Sequence, residues 1–278
     1  MQKKHAKKNH IVPGFGLSLG VTMTLLSLIV LIPMVSIVLE TSQIGWSDFI
    51  AIVLSRRVIL SIILSVKTAF MAALINTVFG LIIAWVLVRY DFFGKRLLDG
   101  IVELPFALPT AVAGIALANL YSDKGFMGKF FLQFGIKVSY TSLGILVAMT
   151  FVTIPFVVRE VQPVLAKLDP SYEHAASLLG ANSFQVFRMI IFPEIKLPLI
   201  VGFSLAFARS MGEYGSVVFI AGNRPFKTEI PSLLIASKLN EHSYPGATSI
   251  ALILLVFSFV TMLVINIVQH RMQRYVRS

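Results

Sequence analysis

Cysteine is absent from the 278 residues. Its absence excludes disulfides, Cys-containing zinc sites and thiol chemistry, and leaves the compartment open. Charge is scarce as well: 13% of the residues are charged, where a soluble domain carries about 25%. A chain this long with so little polar surface cannot face water alone, so a membrane protein is expected and one membrane domain accounts for the length. Acidic residues are the scarcer kind, 13 against 24 Lys and Arg, for a net charge of +11. That excess does not point to nucleic acid, because the basic residues fall between apolar runs and at the termini rather than along one face; in a membrane protein they meet lipid headgroups instead. A phosphate-binding G-x-x-x-x-G-K-[ST] stretch is missing too; Gly125 to Phe130 comes nearest and ends in Phe. ATP hydrolysis is therefore expected elsewhere. The five histidines, His5, His10, His174, His242 and His270, form no spaced metal set. No catalytic residue, bound metal or cofactor is expected of this chain.

What is present is apolar: 56% hydrophobic residues and a mean hydropathy of +0.84. A span needs about 20 mostly apolar residues at 1.5 Å rise per residue. Six stretches qualify, which predicts an all-α integral membrane protein. They run from about Phe15 to Val38, Thr68 to Val88, Ile101 to Tyr121, Leu143 to Val158, Leu197 to Ala221 and Ala247 to Val268. The run from Phe15 is longer than the 7–15 residues (roughly) of a signal-peptide core and lacks an A-x-A site, so it reads as a span. The stretch 43–66 is apolar but broken by Arg56 and Arg57. Ser47 and Asp48 suit a helix start and Trp46 a headgroup level, which predicts an interfacial helix or an extension of the second span.

Basic residues set the orientation. Lys3, Lys4, Lys7 and Lys8 precede the first span, and Arg271, Arg274 and Arg277 follow the last. An even number of spans puts both ends on one side, and the positive-inside tendency makes it the cytoplasm. The basic N-terminus 1–14, the tail 269–278, Arg89, Lys95, Arg96 and the segment from Arg159 to Lys196 are then cytoplasmic.

The segment 169–193 is too polar to span and is patterned. Asp169-Pro170-Ser171 reads as a helix start. Gly180 ends that helix where a left-handed backbone is easiest. Asn182 or Ser183 caps a second short helix, and Pro193 is expected to stop it.

Glu173-His174-Ala175-Ala176-Ser177-Leu178-Leu179-Gly180, followed by Ile190-Ile191-Phe192-Pro193, resembles the EAA loop of ABC-importer permeases. His174 stands where the motif has its Glu, with Glu173 just before it, and Phe192 replaces the motif Leu. The likeness extends over about Val66 to Val268, within an expected permease domain of 61–268. Lys67-Thr68-Ala69, Leu104 to Gly114 with its Pro105 and Pro109, Arg209-Ser210-Met211-Gly212-Glu213-Tyr214-Gly215-Ser216 and Thr228-Glu229-Ile230-Pro231 resemble the sulfate and molybdate branch. They look most like the T-type permease of sulfate/thiosulfate importers.

The resemblance implies a type I ABC importer permease fold of six transmembrane helices. Its coupling helix would dock into a separate ATPase through Glu173, His174, Ala175, Ala176, Gly180 and Pro193. It also implies a second permease subunit, two ATP-binding subunits that use ATP and Mg, and an extracytoplasmic sulfate-binding protein. A molybdate or tungstate permease is the near alternative. A secondary transporter would need ion-binding groups at mid-membrane and often repeats; one acid is there and no repeat is evident.

Arg209 and Glu213 lie in an otherwise apolar span, where charge is costly and faces protein or water. Four apart, they can pair on one helix face. Two readings stay open: a neutralised pair that locks packing, or groups on the translocation path together with Ser210, Pro105, Pro109 and Thr110. Pro105 and Pro109 are expected to break the third span, with Thr110 and Asn119 as partners for freed carbonyls.

Overall fold

A computed structural model describes residues 15–277. The expected basic N-terminus 1–14 lies outside the described residues, as do residue 278 and the side chains of 268 and 270–277. Among the described residues every regular element is a helix.

Helix α1, Phe15–Ser42, is apolar on all sides and buries only Thr41. A short α2, Trp46–Val53, follows. Its N-cap is Gly45, which supplies no side-chain bond, so neither Ser47 nor Asp48 caps it; Asp48 lies in its first turn, where a negative charge is favoured. Helix α3, Arg56–Arg89, begins at Arg56 rather than near Thr68. Both alternatives for 43–66 are therefore realised in part: a separate helix, then an extension of the span. The extension tolerates Arg57 because its Nε and Nη2 each donate to Glu229 at 2.7 Å.

The third span is two helices, α4, Lys95–Ala107, and α5, Thr110–Leu120, bent by 114°. The break falls at Leu108 and Pro109, because a residue before proline is pushed out of the helical region. Pro105 does not break anything; it is buried inside α4. Neither Thr110 nor Asn119 serves a freed carbonyl: no side-chain bond from either occurs among the described residues. Helix α6, Phe126–Gln133, lies between α5 and α7 in the chain.

Helix α7, Ser142–Lys167, starts on Thr141, whose hydroxyl accepts from the Leu143 N–H at 3.2 Å. It continues past Val158 and carries Arg159 to Asp99 and Glu103 of α4, at 2.7 and 2.8 Å. Then come α8, Pro170–Leu178, and α9, Ser183–Val186, a π-turn over Phe187–Ile191, and α10, Phe192–Met211. Pro193 does not stop the second helix of the loop: 183–211 run on as one apolar helix. An ordinary α-turn would press the proline ring against the carbonyl four residues back. The wider turn relieves this, with the Phe192 N–H donating to the Phe187 carbonyl. After a gap at 212–214, α11 covers Gly215–Ala221, α12 Pro231–Asn240 and α13 Tyr244–Arg277.

Among the described residues five helices are long and apolar enough to cross a membrane, and six spans result if α4 and α5 count as one. Helix α7 is central. Its Val157, Val158 and Val161 share one buried cluster with Ala73 and Ala84 of α3 and with Ile195 and Ala206 of α10. A second cluster joins Ile145, Ala148 and Met149 of α7 to Leu117 of α5 and Val217 and Ile220 of α11. Asn76 of α3 ties the helices by hydrogen bonds: Nδ2 donates to the Thr150 carbonyl at 3.0 Å and to Thr153 Oγ1 at 2.8 Å. Helix α3 packs against α2 near its start and pairs with α8 at its finish through Arg89 and Glu173.

Candidate functional site

Two apolar spans are interrupted, and the interruptions meet. Helix α5 starts at Thr110, just after the Pro109 bend, and α11 starts at Gly215, just after the gap at 212–214. A Cβ on Gly215 would stand 2.1 Å from Thr110 Oγ1, and one on Gly114 2.5 Å from the Ser216 carbonyl oxygen. Only glycine lets the two helices approach this closely.

Glu213 lies in the gap and is 1% exposed. Its Oε2 accepts from Arg209 Nη1 at 2.6 Å, and its Oε1 accepts from the Ser216 N–H and Ser216 Oγ, each at 3.0 Å. Ser232 Oγ donates to its carbonyl at 2.8 Å. The pair therefore forms across the helix end, since α10 stops at Met211. The Arg209 side chain stays 38% exposed. A buried carboxylate bonded at both oxygens thus holds an arginine side chain that stays part-exposed. Thr110 is half-buried beside this gap and Pro109 is exposed. Ser210 is not part of the grouping: it is buried against α7, its Oγ 3.5 Å from Thr153 Oγ1. Pro105 is buried within α4 and also stands apart.

At the α8 end, local chemistry builds a rigid loop. The Asp169 carboxylate accepts from the Ser171 N–H at 2.9 Å and caps α8. Hydrogen bonding from Ser171, its backbone N–H first and its side chain second, holds Asp169 below the usual carboxylate range. Gly180 takes φ +89°, a left-handed value that suits glycine. Asn182 and Gln185 form a reciprocal capping box, at 2.9 and 2.8 Å. The Glu173 carboxylate accepts from Arg89 Nη2 at the end of α3 and keeps 23% of its side chain exposed. The Arg89 guanidinium lies over the Trp85 ring, 5.4 Å from its centroid. His174 and Ala175 are exposed, while Ala176 packs on the core. Leu178 and Leu179 are each 89% exposed. Pro193 lines a groove of about 770 Å³ together with Asp169, Tyr172 and Glu194.

Sequence reasoning missed Arg89, Arg57 and Glu229 as ion-pair members and Asn76 as an interhelical donor. Trp85 and Arg89, four apart on one helix, were the only local signal among them. It also missed that Gly16-Leu17-Ser18-Leu19-Gly20 has the G-x-S-x-G spacing of a hydrolase nucleophile turn. These residues lie exposed within α1, without the strand-to-helix turn that such a nucleophile requires. No group of three or more His, Cys, Asp or Glu residues positioned for a metal exists among the described residues.

Residues 76–274 match the family described as binding-protein-dependent transport system inner membrane component. The sulfate transport system permease protein CysT of Salmonella typhimurium is 49% identical over 96% of each chain. The protein of the same name from Escherichia coli is 47% identical, again over 96% of each. A solved bacterial alginate ABC transporter, in complex with an alginate pentasaccharide-bound periplasmic protein, shares the fold. Its chain is 17% identical with a TM-score of 0.75, covering 93% of this chain and 95% of that one. A multi-pass bundle matched along most of its length, this chain belongs to the binding-protein-dependent transport system inner membrane components, the permease subunits of ABC importers.

Proposed function

We propose that the chain is the membrane-spanning subunit of an ATP-driven sulfate/thiosulfate importer of the cytoplasmic membrane. The observation that carries this is the near end-to-end identity, 49% and 47%, to two named sulfate transport permeases. Both termini and α8 face the cytoplasm in this reading, supported by the basic residues that flank the first and last spans. Exposed Leu178, Leu179, His174 and Ala175 would seat on an ATPase subunit, which hydrolyses ATP with Mg. A second, related permease, a second ATPase subunit and an extracytoplasmic sulfate-binding protein complete the machine. The alginate transporter with its periplasmic protein is the structural parallel for the last of these.

The translocation path runs past the two helix breaks. A dianion leaving water loses hydration that low-dielectric surroundings do not return. Arg209 offsets part of that loss where Pro109 and Thr110 face the gap. Because Glu213 already balances Arg209, the net attraction is weak, which suits transit rather than retention. Glu213 acts by fixing the guanidinium, and its own bonds to Ser216 keep it from following the anion.

Uptake of labelled sulfate by a strain lacking the native gene, complemented with this chain and its partners, tests the reading. Sulfate enters and molybdate does not; the reverse selectivity overturns the substrate. Arg209→Gln lowers sulfate uptake by about tenfold or more, the equivalent of one charged hydrogen bond. Unchanged uptake by that variant removes Arg209 from the path.

A further inference from the structure

We propose that α3 is a strut that carries movement of the coupling helix α8 to the extracytoplasmic loop 222–230, through an ion pair at each of its ends. The orientation rests on the function proposed above; the connection itself rests on the geometry. Helix α3 has 34 residues, about 50 Å at 1.5 Å each, against a hydrocarbon core of about 30 Å. The helix is therefore about 20 Å longer than the apolar layer is thick, and an arginine stands at each end, Arg56 and Arg89. Of the three helices packed at the centre, α3 alone contains no proline: α7 has Pro155 and Pro163, and α10 has Pro193 and Pro198. An uninterrupted helix moves as one body where a kinked one bends.

Each end is fastened to a segment distant in sequence. At one end Arg89, stacked over Trp85, bonds Glu173 of α8. Both partners are mostly shielded, with side chains 19% and 23% exposed. At the other end Arg57 grips Glu229 in two parallel bonds of 2.7 Å, and the Glu229 side chain is 1% exposed. Paired forks of this kind fix direction as well as distance. Glu229 belongs to the segment that links α11 to α12, and this segment is held further by Ser142 Oγ donating to the Lys227 carbonyl at 3.4 Å. Displacing α8 thus displaces α3, and α3 displaces the loop that follows the Glu213 gap. Arg89, Glu173, Arg57 and Glu229 are positioning residues: each acts through the segment that its ion pair holds.

The absence of cysteine gives a clean test in the assembled transporter. Arg224 is exposed in the loop; Arg224→Cys is labelled from outside with a membrane-impermeant maleimide, with and without a non-hydrolysable ATP analogue, and the adduct is read on this chain. The analogue is expected to change the labelling rate by about fivefold or more, the usual floor for coupled sites. Glu173→Arg and Arg57→Glu each abolish the response. Single reversals leave a charge unpaired and can cost assembly, so the swaps decide: Arg89→Glu with Glu173→Arg, and Arg57→Glu with Glu229→Arg, restore it. A single variant that keeps the response, a swap that stays silent while the complex assembles, or an unresponsive Arg224→Cys chain overturns the strut. Sulfate takes no part in the assay, so a wrong substrate and a wrong strut fail separately.

Discussion

Helices α1 and α7 are both long and apolar, yet one lies at the edge and the other at the centre. Helix α1 buries only Thr41. Helix α7 buries residues along its whole length, among them Gly144, Ala148, Thr153 and Val157. Hydrophobicity does not separate them, because lipid tails are as apolar as leucine. What separates them is the side chains. Along α7, small and β-branched residues let α3, α10 and α11 come close, and Thr150 and Thr153 offer partners to Asn76. Leucine, isoleucine and valine crowd α1 and remain exposed. In this bundle position follows the opportunity to pack.

The sharpest way to break that contrast is to spoil a close approach. Gly114→Leu drives a Cβ to within 2.5 Å of the Ser216 carbonyl oxygen, and its backbone neighbour cannot rotate away. The cost exceeds the roughly 3 kcal/mol at the top of ordinary overpacking; the chain should fail to yield a folded bundle in detergent, and a monodisperse, wild-type-like peak would contradict the packing described. Next in size is Ile145→Ala at the centre of the second cluster, where the side chain is 0% exposed. The cavity is expected to cost about 2–4 kcal/mol, read as a shift in reversible SDS unfolding.

These positions also mark what could be read from the chain. Signals that act over a few residues were legible. Asp169 and Pro170 open α8, Gly180 closes it, and Asn182 caps α9, each through its own backbone geometry. Pro109 was legible for the same reason, since proline acts on the residue before it. Pro105 and Pro193 were not, because whether a helix absorbs a proline depends on what surrounds it. The π-turn before Pro193 has no marker of its own in the sequence. Nor had the pairing of Glu173 with Arg89, whose partners lie 84 positions apart. The span start at Arg56 was hidden likewise, because two arginines read as a water-facing edge until Glu229 is brought to them.

A smaller effect tests the polar part of the contrast. Asn76→Ala removes both bonds to α7. In water such a buried amide would be worth more, but in membranes interhelical hydrogen bonds average about 0.6 kcal/mol because the separated helices find other partners. A loss of about 1 kcal/mol in SDS unfolding is expected, and a loss comparable with that of Ile145→Ala would mean that polar ties rather than packing hold α3 to α7.

The smallest effect belongs to α1. Leu25 is as hydrophobic as anything at the centre, but it is 54% exposed. For a soluble protein, trimming an apolar side chain is judged against water. Here the folded and separated helices both present Leu25 to lipid, so the transfer term largely cancels and little packing is lost. Leu25→Ala should therefore shift SDS unfolding by less than about 0.5 kcal/mol, within the range of ordinary surface changes. A loss near that of Ile145→Ala would show that α1 is packed against protein in the folded chain, and position in this bundle would then follow apolarity after all.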